Sequence, residues 1–190
     1  MLLCQAIVYD SPADRPGSGP DEALLGRIAD GDREAFLTLY EESAGGVFAY
    51  ALSILKDRAE AEDVTQDTFL KIRSAAHLYR PKGKPMAWIL TITKNLCLMR
   101  LRAGARTSPF REEEKISGGL GGIADLEDRL VLEKALSVLS GEDCQIIMLH
   151  AVSGLKHREI AALMGMPLST VLSRYSRGIR KLRKELEGEI

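Results

Sequence analysis

Residues 156–182, KHREIAALMGMPLSTVLSRYSRGIRKL, decide the fold of the C-terminal part of the chain. The pattern predicts a short amphipathic helix that ends at Gly165, because glycine tolerates a positive φ. Ser169 is the expected N-cap of a second, longer helix. The predicted buried residues recur at intervals of three or four: Ile160, Ala161, Met164, Val171, Tyr175, Ile179 and Leu182. This order of elements predicts a helix-turn-helix, whose second helix enters the major groove of DNA.

The charge of this segment differs from that of the whole chain. The 190 residues carry a formal net charge of -1, whereas residues 156–184 contain eight Lys and Arg against the single acidic Glu159, a local charge of +7. Segregated positive charge is typical of phosphate contact, although a basic solvated helix without a ligand is the alternative. Base edges are expected at the start of the second helix, at Ser169, Thr170, Ser173 and Arg174. Phosphate contacts are expected further along it, at Arg177, Arg180 and Lys181.

Helical periodicity without strand-like alternation predicts an all-α protein with two small helical domains joined by a flexible linker. The first domain is expected at residues 21–102 and the second at 126–190. Residues 1–20 are rich in Pro, Gly, Ser and Asp and predict a disordered leader. Residues 103–125 show no sustained period and predict the linker.

Five helices are expected in the first domain. Asp21 is the predicted cap of the first, and Asp30-Gly31-Asp32 separates it from the second. A third helix is expected at residues 47–55, a fourth at about 59–76 and a fifth from 86 to about 102. The inward face of the fourth helix is assigned to Val64, Phe69, Leu70 and Ile72, and the apolar face of the fifth to Trp88, Ile89, Ile92, Leu96 and Met99.

Several classes of protein are disfavoured. The three cysteines are far apart and match no metal-binding spacing, and their odd number without a signal peptide favours a reducing, cytoplasmic location. No apolar run approaches the roughly 20 residues of a membrane span, so no membrane insertion is expected. The histidines are isolated, and the glycines at 118–122 follow no predicted strand. We therefore expect no enzyme, no metal and no cofactor.

A second basic segment lies in the first domain. Residues 94–111 contain five basic residues and no acidic one, and they follow a loop that carries Tyr79, Arg80, Lys82 and Lys84. Basic residues near aromatic ones suit unstacked, single-stranded DNA. A basic surface helix around a core Trp88 explains this segment equally well when it is considered alone.

The chain resembles the extracytoplasmic-function (ECF) class of bacterial RNA polymerase sigma factors over nearly its whole ordered length. In the first domain the resembling stretches are GDREAFLTLYE at 31–41, AEDVTQDTFLKI at 61–72 and AWILTITKNLCLMRLR at 87–102. In the second domain the resemblance covers residues 135–184. The order and spacing of these stretches make the resemblance specific.

The resemblance implies a division of labour between the domains. The first would bind core RNA polymerase through Asp63, Gln66 and Asp67. It would also melt and recognise the promoter −10 element: the loop would capture a flipped base with Tyr79, Arg80, Lys82 and Lys84, and the following helix would contribute Asn95, Arg100 and Arg102. The second would recognise the −35 element and dock on the polymerase flap. An anti-sigma partner is common in this class.

The sequence departs from the pattern of the class at Pro85, Met86, Met99, Leu172 and the Leu139-Ser140 pair. We expect these changes at surface, cap or loop positions, with Met86 and Leu172 where DNA contacts are anticipated. The main alternative is a two-domain helix-turn-helix regulator that acts without polymerase. It would require neither the acidic face near residues 60–67 nor the basic helix after the loop.

Overall fold

The computed structural model describes residues 20–107 and 137–187, and all regular elements in these ranges are helical. The all-α prediction is therefore confirmed. The chain divides into two compact units, and the two described ranges belong to different units. The predicted leader, most of the predicted linker and residues 126–136 lie outside the described residues.

The first unit contains four α-helices and a short 3-10 turn among its described residues. They are α1 Glu22–Ala29, α2 Arg33–Leu55, α3 Arg58–Ala75, the 3-10 turn Ala76–Leu78 and α4 Pro85–Thr107. Helices α2, α3 and α4 pack against one another, and α1 packs against α2 and the 3-10 turn. The largest fully buried side chains are Leu25, Leu39, Tyr50, Leu52, Ile72, Ile89 and Leu90.

Short polar segments set the helix boundaries as predicted. The Asp21 side chain accepts a hydrogen bond from the Ala23 amide at 2.9 Å, which caps α1. Gly31 turns the chain with φ 89°, and Asp32 accepts from the amides at the start of α2. Lys56 ends α2 in the left-handed region at φ 58°.

Several sequence predictions for this unit are wrong in detail. The second and third predicted helices are one continuous helix, α2, which passes through Gly45 without a break. The packed position of α2 outweighs the low helix propensity of glycine. Helix α4 continues to Thr107, five residues past the predicted domain end.

The predicted exposure of three apolar residues is also wrong. Leu70 and Met99 are 63% and 62% exposed, although both were assigned to inward faces. Met86 is buried instead of facing DNA, because it shares one helical face with Leu90 and Cys97. A shift of one residue rotates a side chain by about 100° around a helix of 3.6 residues per turn, so a small error in phase reverses the assignment.

The second unit consists of three described α-helices: α5 Gly141–Ala151, α6 His157–Met164 and α7 Leu168–Glu187. The predicted stripe Val171, Tyr175, Ile179 and Leu182 is buried, and so is Ile160. Gly165 ends α6 with φ 69°, as predicted. Helices α5 and α7 approach closely at Gly178, where an added Cβ would lie 2.8 Å from Ile147 Cδ1.

The prediction that Ser169 caps the second helix is wrong. Helix α7 already begins at Leu168, and the Pro167 carbonyl accepts from the amides of Thr170 and Val171 at 3.0 and 3.1 Å. Proline is tolerated at this boundary because the first amides of a helix have no acceptor within the helix, so its missing N–H costs no hydrogen bond. Ser169 therefore lies inside the first turn.

Two further sequence expectations concern cysteines and membranes. Cys97 and Cys144 are buried and form no disulfide, and burial raises the pKa of the Cys97 thiol to about 12. A thiol with so high a pKa is protonated at neutral pH and unreactive. Within residues 20–107 and 137–187, each helix is too short or too polar to cross a membrane.

Candidate nucleic-acid and polymerase interfaces

The first feature of the site is an ion-pair cluster between α3 and α4. The guanidinium of Arg100 on α4 lies 2.9 Å from Asp67, 3.1 Å from Glu60 and 3.6 Å from Asp63, all on α3. These carboxylates raise the pKa of Arg100, the hydrogen bond to Asp67 contributing most. Asp63 and Asp67 were predicted to bind polymerase and Arg100 to bind DNA. The structure thus brings residues of two predicted sites into direct contact.

The exposure of this cluster shows which of its members solvent can reach. The Asp63 side chain is 61% exposed, and Gln66 beside it is also exposed. Arg100 is half-buried and its charge is satisfied by α3, so contact with DNA would require it to exchange carboxylates for phosphate. An exposed ion pair is worth about 0–1 kcal/mol, which makes such an exchange inexpensive.

The loop between the 3-10 turn and α4 is held by a residue from the start of the unit. Glu22 Oε1 accepts hydrogen bonds from the Tyr79 hydroxyl at 2.6 Å, the Lys82 amide at 2.6 Å and the Gly83 amide at 2.9 Å. The Tyr79 ring also packs edge-on against Trp88, with ring centroids 5.3 Å apart. The loop is therefore fixed at both ends by side-chain contacts.

Sequence reasoning missed Glu22. It appears only as an acidic residue in the first turn of α1, a position where helices generally favour negative charge. Its partners are 57 to 61 residues away in the chain. The hydrogen bond from Tyr79, followed by that from Gly83, lowers the pKa of Glu22. No local pattern could have revealed this contact.

The remaining predicted −10 residues are exposed. Arg80, Lys82 and Lys84 project from the loop, and Asn95 and Arg102 lie on the outer side of α4. Unlike Arg100, these side chains are accessible without breaking the α3–α4 cluster. They form two groups, one on the loop and one on the helix that follows it.

The exposed side of α7 is polar and basic. Ser169, Ser173, Arg177, Arg180 and Lys181 are exposed, and Thr170 is half-buried. The buried stripe occupies the opposite side of this helix. The helix-turn-helix therefore presents its predicted DNA-binding side chains outward, as a helix that enters the major groove requires.

Arg174 is the exception on this helix. Its guanidinium pairs with Asp143 at 2.9 Å and with Glu142 at 2.7 Å, both in the first turn of α5. The Arg174 side chain is 28% exposed. Lys181 is also engaged, since its Nζ donates to the Val138 carbonyl. These contacts link α7 to the N-terminal end of α5.

Two protein families match this chain. Sigma-70 region 2 matches residues 39–107, which cover most of the first unit, and Sigma-70 region 4 matches residues 129–182, which include the helix-turn-helix. The ECF RNA polymerase sigma factor SigK of Mycobacterium ulcerans (strain Agy99) is 32% identical over 183 residues. That alignment covers 90% of this chain and 97% of the relative.

Two solved structures have a similar fold. The sigma factor RpoE of Bartonella quintana, solved with the anti-sigma factor NepR, is 27% identical with a TM-score of 0.60 and covers 76% of this chain and 91% of its own. CnrH, solved with the cytosolic domain of CnrY, is 24% identical with a TM-score of 0.61 and covers 90% of this chain and 100% of its own. At that identity, the likeness to CnrH concerns the fold alone.

The sequence-based assignment is confirmed by the two matched regions and by the full-length relative. The alternative of a regulator that acts without polymerase is not favoured, because both matched regions belong to sigma factors. This chain belongs to the ECF family of RNA polymerase sigma factors, the initiation factors that direct RNA polymerase to promoters.

Proposed function

We propose that the two units hold a promoter at two places while the acidic face of α3 binds core polymerase. One observation carries this proposal: exposed acidic side chains on α3 and exposed basic side chains on the loop, α4 and α7 occur in an almost neutral chain. The net charge is -1, so affinity for DNA has to come from local surfaces rather than from the whole molecule. The proposed domains are residues 21–107, extended from 102 to the end of α4, and 126–190, with the linker between them.

In the first unit, the proposed polymerase contacts are Asp63, Gln66 and Asp67. The proposed −10 contacts are Tyr79, Arg80, Lys82, Lys84, Asn95, Arg100 and Arg102. The exposed positions of Asp63 and Gln66 support the first assignment, and those of Arg80 and Lys82 support the second. Because Arg100 pairs with Asp63 and Asp67, polymerase binding at these carboxylates would leave the arginine paired with Glu60 alone and easier to transfer to DNA.

In the second unit, the proposed −35 contacts are Ser169, Thr170, Ser173, Arg174, Arg177, Arg180 and Lys181. Short polar side chains near the start of α7 allow the helix to approach base edges closely. Arg177 and Arg180 are exposed further along and suit phosphate contacts. The carboxylates of Glu142 and Asp143 would hold Arg174 in a fixed orientation.

We also propose where this chain acts, that it is not catalytic, and that a protein partner regulates it. The chain would act in the cytoplasm as a non-catalytic factor, since the polymerase performs the chemistry of transcription. Two solved relatives were captured in complexes, RpoE with the anti-sigma factor NepR and CnrH with the cytosolic domain of CnrY. A protein partner that silences this chain is accordingly part of the proposal.

Reconstituted transcription tests the proposal. The full chain and core polymerase should together give specific transcripts from the host's genomic DNA, and the chain should bind core polymerase tightly. Asp63→Arg should weaken binding to core polymerase about tenfold or more, because the charge of a largely exposed contact residue would be reversed. Glu34→Arg is the matched control, since it reverses an exposed charge at the start of α2. Tight duplex binding by the chain alone, without binding to core polymerase, would contradict the proposal.

A further inference from the structure

We infer that Glu22 is a positioning residue for promoter melting: its carboxylate holds the loop Tyr79–Lys84 in the shape that captures an unpaired −10 base. The inference rests on the proposed function of that loop. It adds a residue that contacts no DNA itself and acts through the loop backbone. Glu22 lies in α1, outside residues 39–107 that match Sigma-70 region 2.

The geometry of the contact favours a specific loop shape. One oxygen, Glu22 Oε1, receives three donors within 2.9 Å, and two of them are the consecutive amides of Lys82 and Gly83. Gly83 has φ 65°, a left-handed conformation that exposes its amide to the carboxylate. Hydrogen bonds to a charged acceptor are about twice as strong as neutral ones. The three hydrogen bonds to the carboxylate therefore offset part of the conformational entropy that the loop loses when it adopts one shape.

The same contact determines which side chains can meet DNA. The Tyr79 hydroxyl donates to Glu22 and its ring packs against Trp88, so the −10 contact proposed for Tyr79 would be made from a fixed position. With the backbone of Lys82 held by Glu22, the exposed side chains of Arg80 and Lys82 extend from the loop, where the nucleic acid can reach them. Glu22, Tyr79 and Trp88 thus hold a loop whose basic side chains are exposed.

Electrostatics alone predicts the opposite effect of removing the carboxylate. A negative charge beside a phosphate backbone is repulsive, so neutralising Glu22 would by itself strengthen DNA binding. If Glu22 acts by positioning, its neutralisation weakens binding, and only for DNA that offers an unpaired −10 strand. The sign of the effect therefore separates the two roles.

The test uses holoenzyme assembled from core polymerase and the full chain, with two DNA probes. One is a −35 duplex that ends before the −10 element, and the other extends it with the single-stranded non-template −10 segment. Glu22→Ala should weaken binding to the extended probe about tenfold or more, since the loss of even one of its three charge-assisted hydrogen bonds corresponds to that factor. Binding to the duplex probe and to core polymerase should change less than about twofold. The matched control is Glu34→Ala, which removes a first-turn glutamate from α2 and should leave both probes unaffected.

Two milder variants keep the test informative if Glu22→Ala does not fold. Glu22→Gln keeps an acceptor oxygen of the same reach but loses the charge, and Tyr79→Phe removes one of the three donors and keeps the ring. Both should weaken binding to the extended probe by a smaller factor than Glu22→Ala. Tighter binding by Glu22→Gln, or an equal loss on both probes, would overturn the inference. If the wild-type holoenzyme itself gains nothing from the single-stranded extension, the proposed function of the loop fails instead.

Discussion

The two units organise their DNA-binding elements in different ways. In the second unit, α7 is fixed by its own buried stripe and by a turn that ends at Gly165, all within a short stretch of chain. In the first unit, the loop Tyr79–Lys84 depends on Glu22, which lies 57 residues before Tyr79. The periodicity of a helix determines which of its side chains are exposed together, whereas a loop keeps one shape only when other residues hold it.

The units share one device, an arginine held by carboxylates of a neighbouring helix. Arg100 pairs with three acidic residues of α3, and Arg174 pairs with two at the start of α5. The arginines differ in exposure, since the Arg100 side chain is 37% exposed and that of Arg174 28%, and only the Arg174 cluster contains a carboxylate as little exposed as Asp143, at 15%. We therefore expect that a binding partner can displace the ion pairs of Arg100, whereas those of Arg174 form a stable brace between α7 and α5.

The largest effect is expected for Arg174→Ala in the second unit. If the brace presents Arg174 to base edges, this change should reduce the discrimination between cognate and scrambled −35 duplexes by about 1–3 kcal/mol. The measurement is a comparison of affinities of the holoenzyme for the two duplexes. An equal loss on both would show that Arg174 contacts phosphate or serves only as the brace.

The same substitution at two glycines should have opposite effects in the two units. Gly165→Ala places a side chain at φ 69° and should destabilise the second unit by about 1–2 kcal/mol, the strain of a left-handed residue. Gly26→Ala lies within helix α1 and should stabilise the first unit by about 0.5–1 kcal/mol. Neither added Cβ meets an atom within 4 Å, so backbone conformation alone separates the two.

Chemical denaturation of both variants gives these differences in the free energy of unfolding. A destabilisation of equal size at both glycines would contradict the assignment of the turn. It would mean that the left-handed conformation at Gly165 is not the cause of the change in the free energy of unfolding.

The smallest effect is expected from the protonation of Glu22. Its pKa is lowered in the folded chain by the hydrogen bonds from the loop, so its contribution to stability is present above the ordinary value of 4.5. That contribution is lost as the pH falls through the lowered pKa. The difference in melting temperature between wild type and Glu22→Gln should therefore be constant near neutral pH and vanish in acid. A difference that persists at the acid end would show that charge is not the cause.

Much of the fold was predictable because the caps, turns and buried faces of helices depend on residues close together in the sequence. The caps Asp21 and Asp32, the turn at Gly165 and the stripe Val171, Tyr175, Ile179 and Leu182 all follow from residues a few positions apart. The errors occurred where packing decided between local alternatives. The continuity of α2 through Gly45 and the burial of Met86 both depend on the neighbouring helices.

The sequence by itself determined an all-α chain with a basic helix-turn-helix and its membership of a sigma factor family. Only the tertiary structure decided which functional side chains are engaged with other residues. The contacts of Glu22 with the loop, of Arg100 with α3 and of Arg174 with α5 span 31 to 61 residues of chain. Helical periodicity acts over single turns, whereas contacts at such separations form only when the buried faces of the helices have packed.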